Sequence, residues 1–406
     1  MRRAPEPAEI RAEFPALADG TAYFENAGGS QVPRVVADAM HRHLLTNYVN
    51  PGAAYARSQA ATAVVRGAHA FINLFMNGVE RGHVILGPST SVLCRSIADG
   101  YAQRLSPGDE ILVAENGHEA NIGPWVRLER FGLKVRFWPV RAGECACSLH
   151  DLEALLGPRT RLVAFPHVSN ILGEIVDVRA IASLCHRAGA RVLVDGVAYA
   201  PHGAIDVAAW GVDWYAYSTY KVFGPHAAAL WGSAEAMAEL PSANHFFIEG
   251  TPGRFELGGI GHEVCAGLLA LGEYLNFLAG APRDAAMTRA TIVAAYERMA
   301  ELEQPLVERL LVFLRAQPSV RIIGPAGAGP TRAGIVSFVC KQRSSRELAL
   351  AANEAGIGVK HGHMSAYRLV EALGLDPADG VVRVSFCHYN TLDEVERLIA
   401  VLAPLL

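Results

Sequence analysis

No stretch of this 406-residue sequence reaches the ~18 uninterrupted apolar residues that a membrane span needs. The nearest, Cys265 to Pro282, carries Glu273 and Asn276 inside it. The opening MRRAPEPAEIRAEF is basic at first but lacks the apolar core of a secretion signal. Charge of one sign is also lacking: 36 Lys and Arg stand against 40 Asp and Glu, a net −4 without long runs. That balance offers no electrostatic footprint for nucleic acid or for a membrane surface. Cysteines are few and odd in number, seven in all. This predicts reduced thiols in a cytoplasmic protein rather than a disulfide framework. With 51% apolar and 19% charged residues, general disorder is excluded, and the length suits two domains.

Several cofactor motifs are missing too. There is no GxxxxGK[ST] loop, and no GxGxxG stands between a strand and a helix. GPAGAGP has the glycines, but its prolines and the strand after it spoil a helix-opening loop. A nucleotide-dependent oxidoreductase therefore lacks its fingerprint. HExxH, GxSxG and a paired CxxC are absent; Cys145 and Cys147 form a lone CxC in a turn, and no metal is expected.

What is present is an alternation. RLVAFPHVSN, DVRAIASLCHRAGA, RVLVDG and DWYAYSTYK read as strand, helix, strand and, after a loop containing Pro201, a further strand. HVILGPSTSVLCRSIADGYAQRL and DEILVAENGHEANIGPW add two more strands. This rhythm predicts an α/β fold with a mostly parallel sheet covered on both faces. After about Gly261 the style changes. Helical patterns run from Glu263 to Ala279 and from Ala285 to Ala316, followed by the strands GIVSFVCK and VVRVSFCHYN. Ser344 with Glu347, and Thr391 with Glu394, have the spacing of capping boxes that open helices. The expected division is a large domain over 21–262 and a small α+β domain over 263–406, the latter joined by residues 1–20.

Six features fall where strands stop, the place where open α/β sheets bind ligands. They are Ser89 with Thr90, His118, Asn170, Asp195, Ser218 and Lys221. Singly, each has an ordinary explanation as a cap, a turn or a solvated charge. Together they suit an aldehyde cofactor with a pyridine ring and a phosphate. A lysine can form an imine with it and later move a proton, because a buried amine sheds its charge more easily than a guanidinium. A carboxylate facing the ring nitrogen keeps the ring an electron sink. Amides and hydroxyls at a helix start hold a phosphate, and an imidazole can cover the ring.

The segments NGHEANIGPW, HVSNILGEIVDVRAIASLCHRAGARVLVDG, APHGAIDVAAWGVDWYAYSTYKVFGP and VRVSFCHYNTLDEVERLI resemble the class V aminotransferase group of fold-type I pyridoxal phosphate enzymes. The nearest branch is that of the SufS-like cysteine desulfurases, and the match runs from YFENAGGSQVP to the last helix. The resemblance implies a seven-stranded-type sheet in the large domain, pyridoxal 5'-phosphate as cofactor, and a homodimer with its sites at the interface. It assigns the internal aldimine to Lys221, the pyridine nitrogen to Asp195, ring stacking to His118 and the ring hydroxyl to Asn170. Ser89, Thr90 and Ser218 become phosphate ligands, with Tyr220 adding a phenol. Arg383 matches the clamp on the substrate carboxylate, and Asn26, His363 and Ser365 fall at substrate-binding places.

The departures from the family pattern are informative. Ala198 and Tyr199 replace a Gln-Ser pair that touches the ring hydroxyl. Tyr220 stands in place of a histidine, and Gly259 in place of a threonine that reaches the partner subunit's phosphate. In VKHGHMSAYRL, Ser365 occupies the place of the mobile cysteine that takes sulfur as a persulfide. Cys387 lies four residues past Arg383, which in an extended strand is roughly 13 Å away. The expectation is an enzyme acting on an amino acid through an external aldimine and a Cα carbanion. β-Elimination without a stored persulfide leads; transamination or epimerisation of a small amino acid is the alternative. A non-catalytic binding homologue is disfavoured by the intact Lys221, Asp195, His118 and Arg383.

Overall fold

The structure is a computed structural model that describes residues 3–141 and 143–406. Met1 and Arg2 of the expected N-terminal segment lie outside the described residues. The short β-branched runs form a seven-stranded sheet in the order Gly82–Gly87, Ala228–Ser233, Trp214–Ser218, Arg191–Asp195, Thr160–Pro166, Glu110–Ala114, Lys134–Trp138. Ala228–Ser233 pairs antiparallel with both of its neighbours, and the remaining pairs are parallel. The central strands are buried on both faces, as unbroken apolar runs such as EILVA and RVLVD require.

On one face Ile97 and Tyr101 of the helix Thr90–Arg104 pack with Trp125 and with Trp214 of the sheet. On the other, Ile72 and Phe75 of the helix Ala56–Phe75 share a cluster with Tyr215, Tyr217 and Trp231 of the sheet and with the helix His262–Leu278. The helix His262–Leu278 buries Leu268, Leu271 and Leu275 in this large-sheet cluster. Ile10, Phe14 and Leu17 of the N-terminal segment enter the same cluster, beside Tyr274 and Tyr389. The expected boundary at 262 thus falls at the start of a helix that packs on the large sheet.

The small unit is a four-stranded antiparallel sheet in the order Lys360–Gly362, Val381–Ser385, Ile335–Cys340, Val320–Ile323. Its core takes Leu306, Leu310 and Leu314 from the far end of the 27-residue helix Arg289–Arg315. The near end of that helix, at Ile292, Tyr296 and Met299, belongs to the large-sheet cluster. Pro305 stands at the changeover, where its ring removes one helix hydrogen bond. Both capping boxes are formed, opening the helices Ser345–Glu354 and Leu392–Leu402. Each cap contributes about 1 kcal/mol. The strand read from VVRVSFCHYN is shorter than expected. It ends at Ser385; Phe386 N still donates across to Gly334 O, but Cys387 N turns to Asn390 Oδ1 instead of a ladder partner.

Candidate active site

The sheet brings its predicted residues to one end. Thr90 opens the helix after Gly82–Gly87, and His118 follows Glu110–Ala114. Asn170 follows Thr160–Pro166, while Asp195 and Ser218 are the last residues of their strands. Tyr220 and Lys221 sit in the 3-10 turn Thr219–Lys221. All of these, with Ser89, line a single cavity, together with Val168, Val197 and Ala198.

At one end of the cavity Thr90 Oγ1 and Ser218 Oγ share a hydrogen bond of 2.8 Å at the start of a 15-residue helix. Ser89 is the N-cap of that helix, its Oγ accepting from Val92 N at 3.2 Å. Two hydroxyls and the free amides of a helix start make a cradle for an anion. The Asp195 carboxylate is buried and accepts one hydrogen bond, from Val197 N at 2.9 Å. Burial raises its pKa, with the Val197 amide and the Lys221 charge pulling the other way.

The Lys221 amine is pushed down to about 8. Burial is the main cause, Arg383 and Lys360 add to it, and Asp195 and Glu25 oppose it. Near neutrality a useful fraction is the unprotonated nucleophile. His118 is pushed down to about 4 by burial, then by the charges of Lys221 and Arg383. Its Nδ1 accepts from Ala120 N at 3.0 Å, so the neutral ring carries its proton on Nε2. Such a ring can cover a surface or donate from Nε2; it has no free nitrogen to serve as a base.

Arg383 is buried next to the cavity and donates to Asn170 O at 3.2 Å, while its Nε reaches no partner. Burial pushes it down to about 10, which leaves it a cation at neutral pH. Glu25 and Lys360 form an ion pair of 3.2 Å whose charges both reach Lys221. Neither was expected from the sequence. Lys360 and Arg383 face one another across two paired strands, a register that only the fold reveals.

Three expected substrate residues, Asn26, His363 and Ser365, are not in the lining of this cavity. The Asn26 amide is spent on Tyr23 O, Ser385 O and Asn390, and its Oδ1 accepts from Tyr389. It ties the N-terminal chain to the end of the Arg383 strand, with no group left for a substrate. His363 and Ser365 are not among the residues lining the cavity. The His363 Nδ1 accepts from Ser365 N within their own turn, and Ser365 is exposed. Met364 and Ser365 both have positive φ, 43° and 61°, unusual for side chains of this size. Two contacts hold the turn: Asn170 Nδ2 donates to Met364 O at 3.0 Å, and Glu119 N to Ser365 O at 2.8 Å.

Tyr199 turns away from the cofactor cavity and stacks on the buried His167, ring centroids 3.7 Å apart. Gly259 has φ 72°, and a Cβ there would meet nothing within 4 Å. Cys387 is buried, its thiol pushed well up by that burial. Among the described residues no cysteine lines the cavity.

This set fits pyridoxal 5'-phosphate. Lys221 would supply the amine for its aldehyde, Asp195 the carboxylate for its ring nitrogen, and the Thr90–Ser218 cradle the donors for its phosphate. Asn170 Oδ1 is buried beside the cavity without a partner, an unmet acceptor of the kind a ligand hydroxyl can satisfy.

A family model described as aminotransferase class-V matches residues 22–398. Over 98% of both chains, the protein is 36% identical to an aminotransferase-like protein of Gibberella zeae. It is 32% identical to a cysteine desulfurase-like protein of Aspergillus flavus, over 95% of this chain and 87% of that one. A solved structure, the apo cysteine desulfurase of Thermococcus onnurineus NA1, superposes with a TM-score of 0.87 at 26% identity. That match covers 100% of this chain and 99% of the other.

Proposed function

Because the chain belongs to the aminotransferase class-V family and is a pyridoxal 5'-phosphate-dependent enzyme, we propose that it is a lyase. It removes the Cα proton of an amino acid and expels a group from Cβ. The observation that carries this reading is one cavity that holds Lys221 with Asp195 and the Thr90–Ser218 cradle and whose lining includes no cysteine among the described residues. When bound, the cofactor supplies an aldehyde for the substrate amine and a ring that takes up the charge developing at Cα. As a carboxylate, Asp195 would accept a hydrogen bond from the ring nitrogen of the bound cofactor and keep that nitrogen protonated.

Arg383 holds the substrate carboxylate through its planar fork. Lys221 Nζ takes the Cα proton, the role that the blocked Nδ1 of His118 leaves to it. The Cβ bond to the leaving group then breaks with its electron pair, and water completes the release of a 2-oxo acid and ammonium. With no thiol in the cavity wall and Ser365 in the loop, sulfur from a cysteine substrate leaves as sulfide. Incubation with L-cysteine, with sulfide, pyruvate and ammonium measured, tests this. A stable mass gain of one sulfur atom on the protein, taken without reductant, overturns it.

The same reading makes the protein a cytoplasmic homodimer. The dimer is supported by exposed apolar side chains on two segments, Leu45 and Tyr48 on one and Phe246 and Leu257 on the other. Tyr48 packs near His262, beside the second segment. Phe246, at 94% exposed, is costly to leave in water. The cytoplasmic location rests on the odd number of cysteines.

A further inference from the structure

Two consecutive backbone carbonyls, of Met364 and Ser365, reach two segments of the cofactor cavity's wall. Met364 O accepts from Asn170 Nδ2 at 3.0 Å, and Ser365 O from Glu119 N at 2.8 Å. Asn170 lines the cavity; Glu119 directly follows His118, which lines it too. The chain runs on from this turn into Ala366, Leu369 and Val370, buried in one cluster with Ile171 and Leu172. Asn170 and the turn are thus fastened together twice, by a hydrogen bond and through the shared core beside it.

The turn is held against a conformational cost. Met364 at φ 43° and Ser365 at φ 61° occupy left-handed backbone, where glycine would be the unstrained choice. Such conformations persist where surrounding contacts enforce them, and they gather at ligand-holding places. Here Ala366 N closes the turn on His363 O at 2.7 Å, and Arg368 pairs with Glu119 at 3.3 Å. The cost has a use in the Asn170 amide. A primary amide has a donor end and an acceptor end, and a carbonyl can only accept. Met364 O therefore holds Nδ2 to itself and leaves Oδ1 on the other side, buried and without a partner.

We propose that Met364 is a positioning residue for the cofactor: its carbonyl, fixed by the strained turn, orients the Asn170 amide so that Oδ1 accepts from the ring hydroxyl of pyridoxal 5'-phosphate. The side chains of the turn take no part, which separates this role from substrate binding by His363 or Ser365. It requires the cofactor, but no particular reaction at Lys221.

Equilibrium dialysis of the apo protein with pyridoxal 5'-phosphate, and with the analogue that has hydrogen in place of the ring hydroxyl, tests it. The ratio of the two affinities is the preference for the hydroxyl. Ser365→Val, whose β-branched side chain resists positive φ, should lower that preference about fivefold, the worth of one hydrogen bond. Ser365→Gly, which keeps the turn, should leave it unchanged. Position 119 supplies a second pair of variants. Proline fits the first residue of the 3-10 turn Glu119–Asn121, after His118 at φ −75° and ψ 143°, but it deletes the amide that holds Ser365 O. Glu119→Pro should reproduce the loss, and Glu119→Ala, which keeps the amide, should not. A wild type that binds both ligands alike would overturn the proposal, as would an undiminished preference in either folded Ser365→Val or Glu119→Pro. Equal weakening of both ligands would show a merely structural turn, and equal loss in the Gly and Ala variants would move the effect to side chains; either result refutes the role of the carbonyl.

Discussion

Thr90 Oγ1 and Ser218 Oγ, 128 residues apart in sequence, lie 2.8 Å apart in the fold. One opens a helix and the other closes a strand, and their strands are separated in the sheet by Ala228–Ser233. Two hydroxyls that satisfy one another inside a buried cradle are poised to turn to a stronger acceptor. Thr90→Val keeps the shape and removes a donor. It should lower cofactor affinity about tenfold or more, the worth of one hydrogen bond to a charged group. Dialysis followed by cofactor absorbance measures it, and an unchanged affinity would take Thr90 out of the cradle.

Lys221→Ala should remove both turnover and the yellow adduct that borohydride fixes to the protein, while leaving the melting temperature close to wild type. Peptide mapping after reduction of the wild-type enzyme should find the label on Lys221. A label on any other lysine would refute the assignment.

The pH at which that amine gains its proton should respond to Arg383. Burial is the larger cause of its depression to about 8, and the Arg383 charge is the next. The rate of cofactor capture by the apo protein should therefore rise with pH through about 8, because only the neutral amine attacks. In Arg383→Gln the midpoint should move upward, toward the ordinary lysine range. A midpoint that stays or falls would show that Arg383 does not act on Lys221.

Asp195→Asn should keep the cofactor bound but slow turnover by several powers of ten, since an amide cannot hold the ring nitrogen protonated. Near-normal turnover would remove Asp195 from that role. The residue after it is as constrained: a Cβ on Gly196 would lie 2.1 Å from the Tyr215 ring. Gly196→Ala should cost about 1–3 kcal/mol of stability, as overpacking does, and shift the urea midpoint accordingly.

His69 carries a pH dependence of a different kind. Burial disfavours its charge, but the Glu256 carboxylate at 2.7 Å outweighs that, and its pKa is raised above 6.5. A group with a raised folded pKa stabilises fully below its unfolded value and loses that contribution as pH climbs through the folded one. The stability gap between wild type and His69→Gln should thus be widest in mild acid and narrow above neutrality. Because Glu256 also accepts from Leu86 N at 2.6 Å, hydrogen exchange at Leu86 should rise in the same variant.

Local order was legible because its causes are local. The runs VILG, ILVA and RVLVD favour strand through their β-branched content and form strands here, and the pairs Ser344–Glu347 and Thr391–Glu394 carry their helix starts in four residues. Lys221, Asp195, Thr90 and Ser218 could be grouped because parallel strands deliver their ends to one edge of a sheet. Tertiary structure decided the rest. The sequence has no sign that Asn26 would be consumed by Tyr389 and Asn390, or that Lys360 would pair with Glu25 near Lys221. Nor does it show that the helix His262–Leu278 packs on the large sheet, since an apolar face has no address of its own. Periodicity tells a residue which way to point; which partner waits there depends on chain hundreds of residues distant, and on the close packing that only one arrangement satisfies.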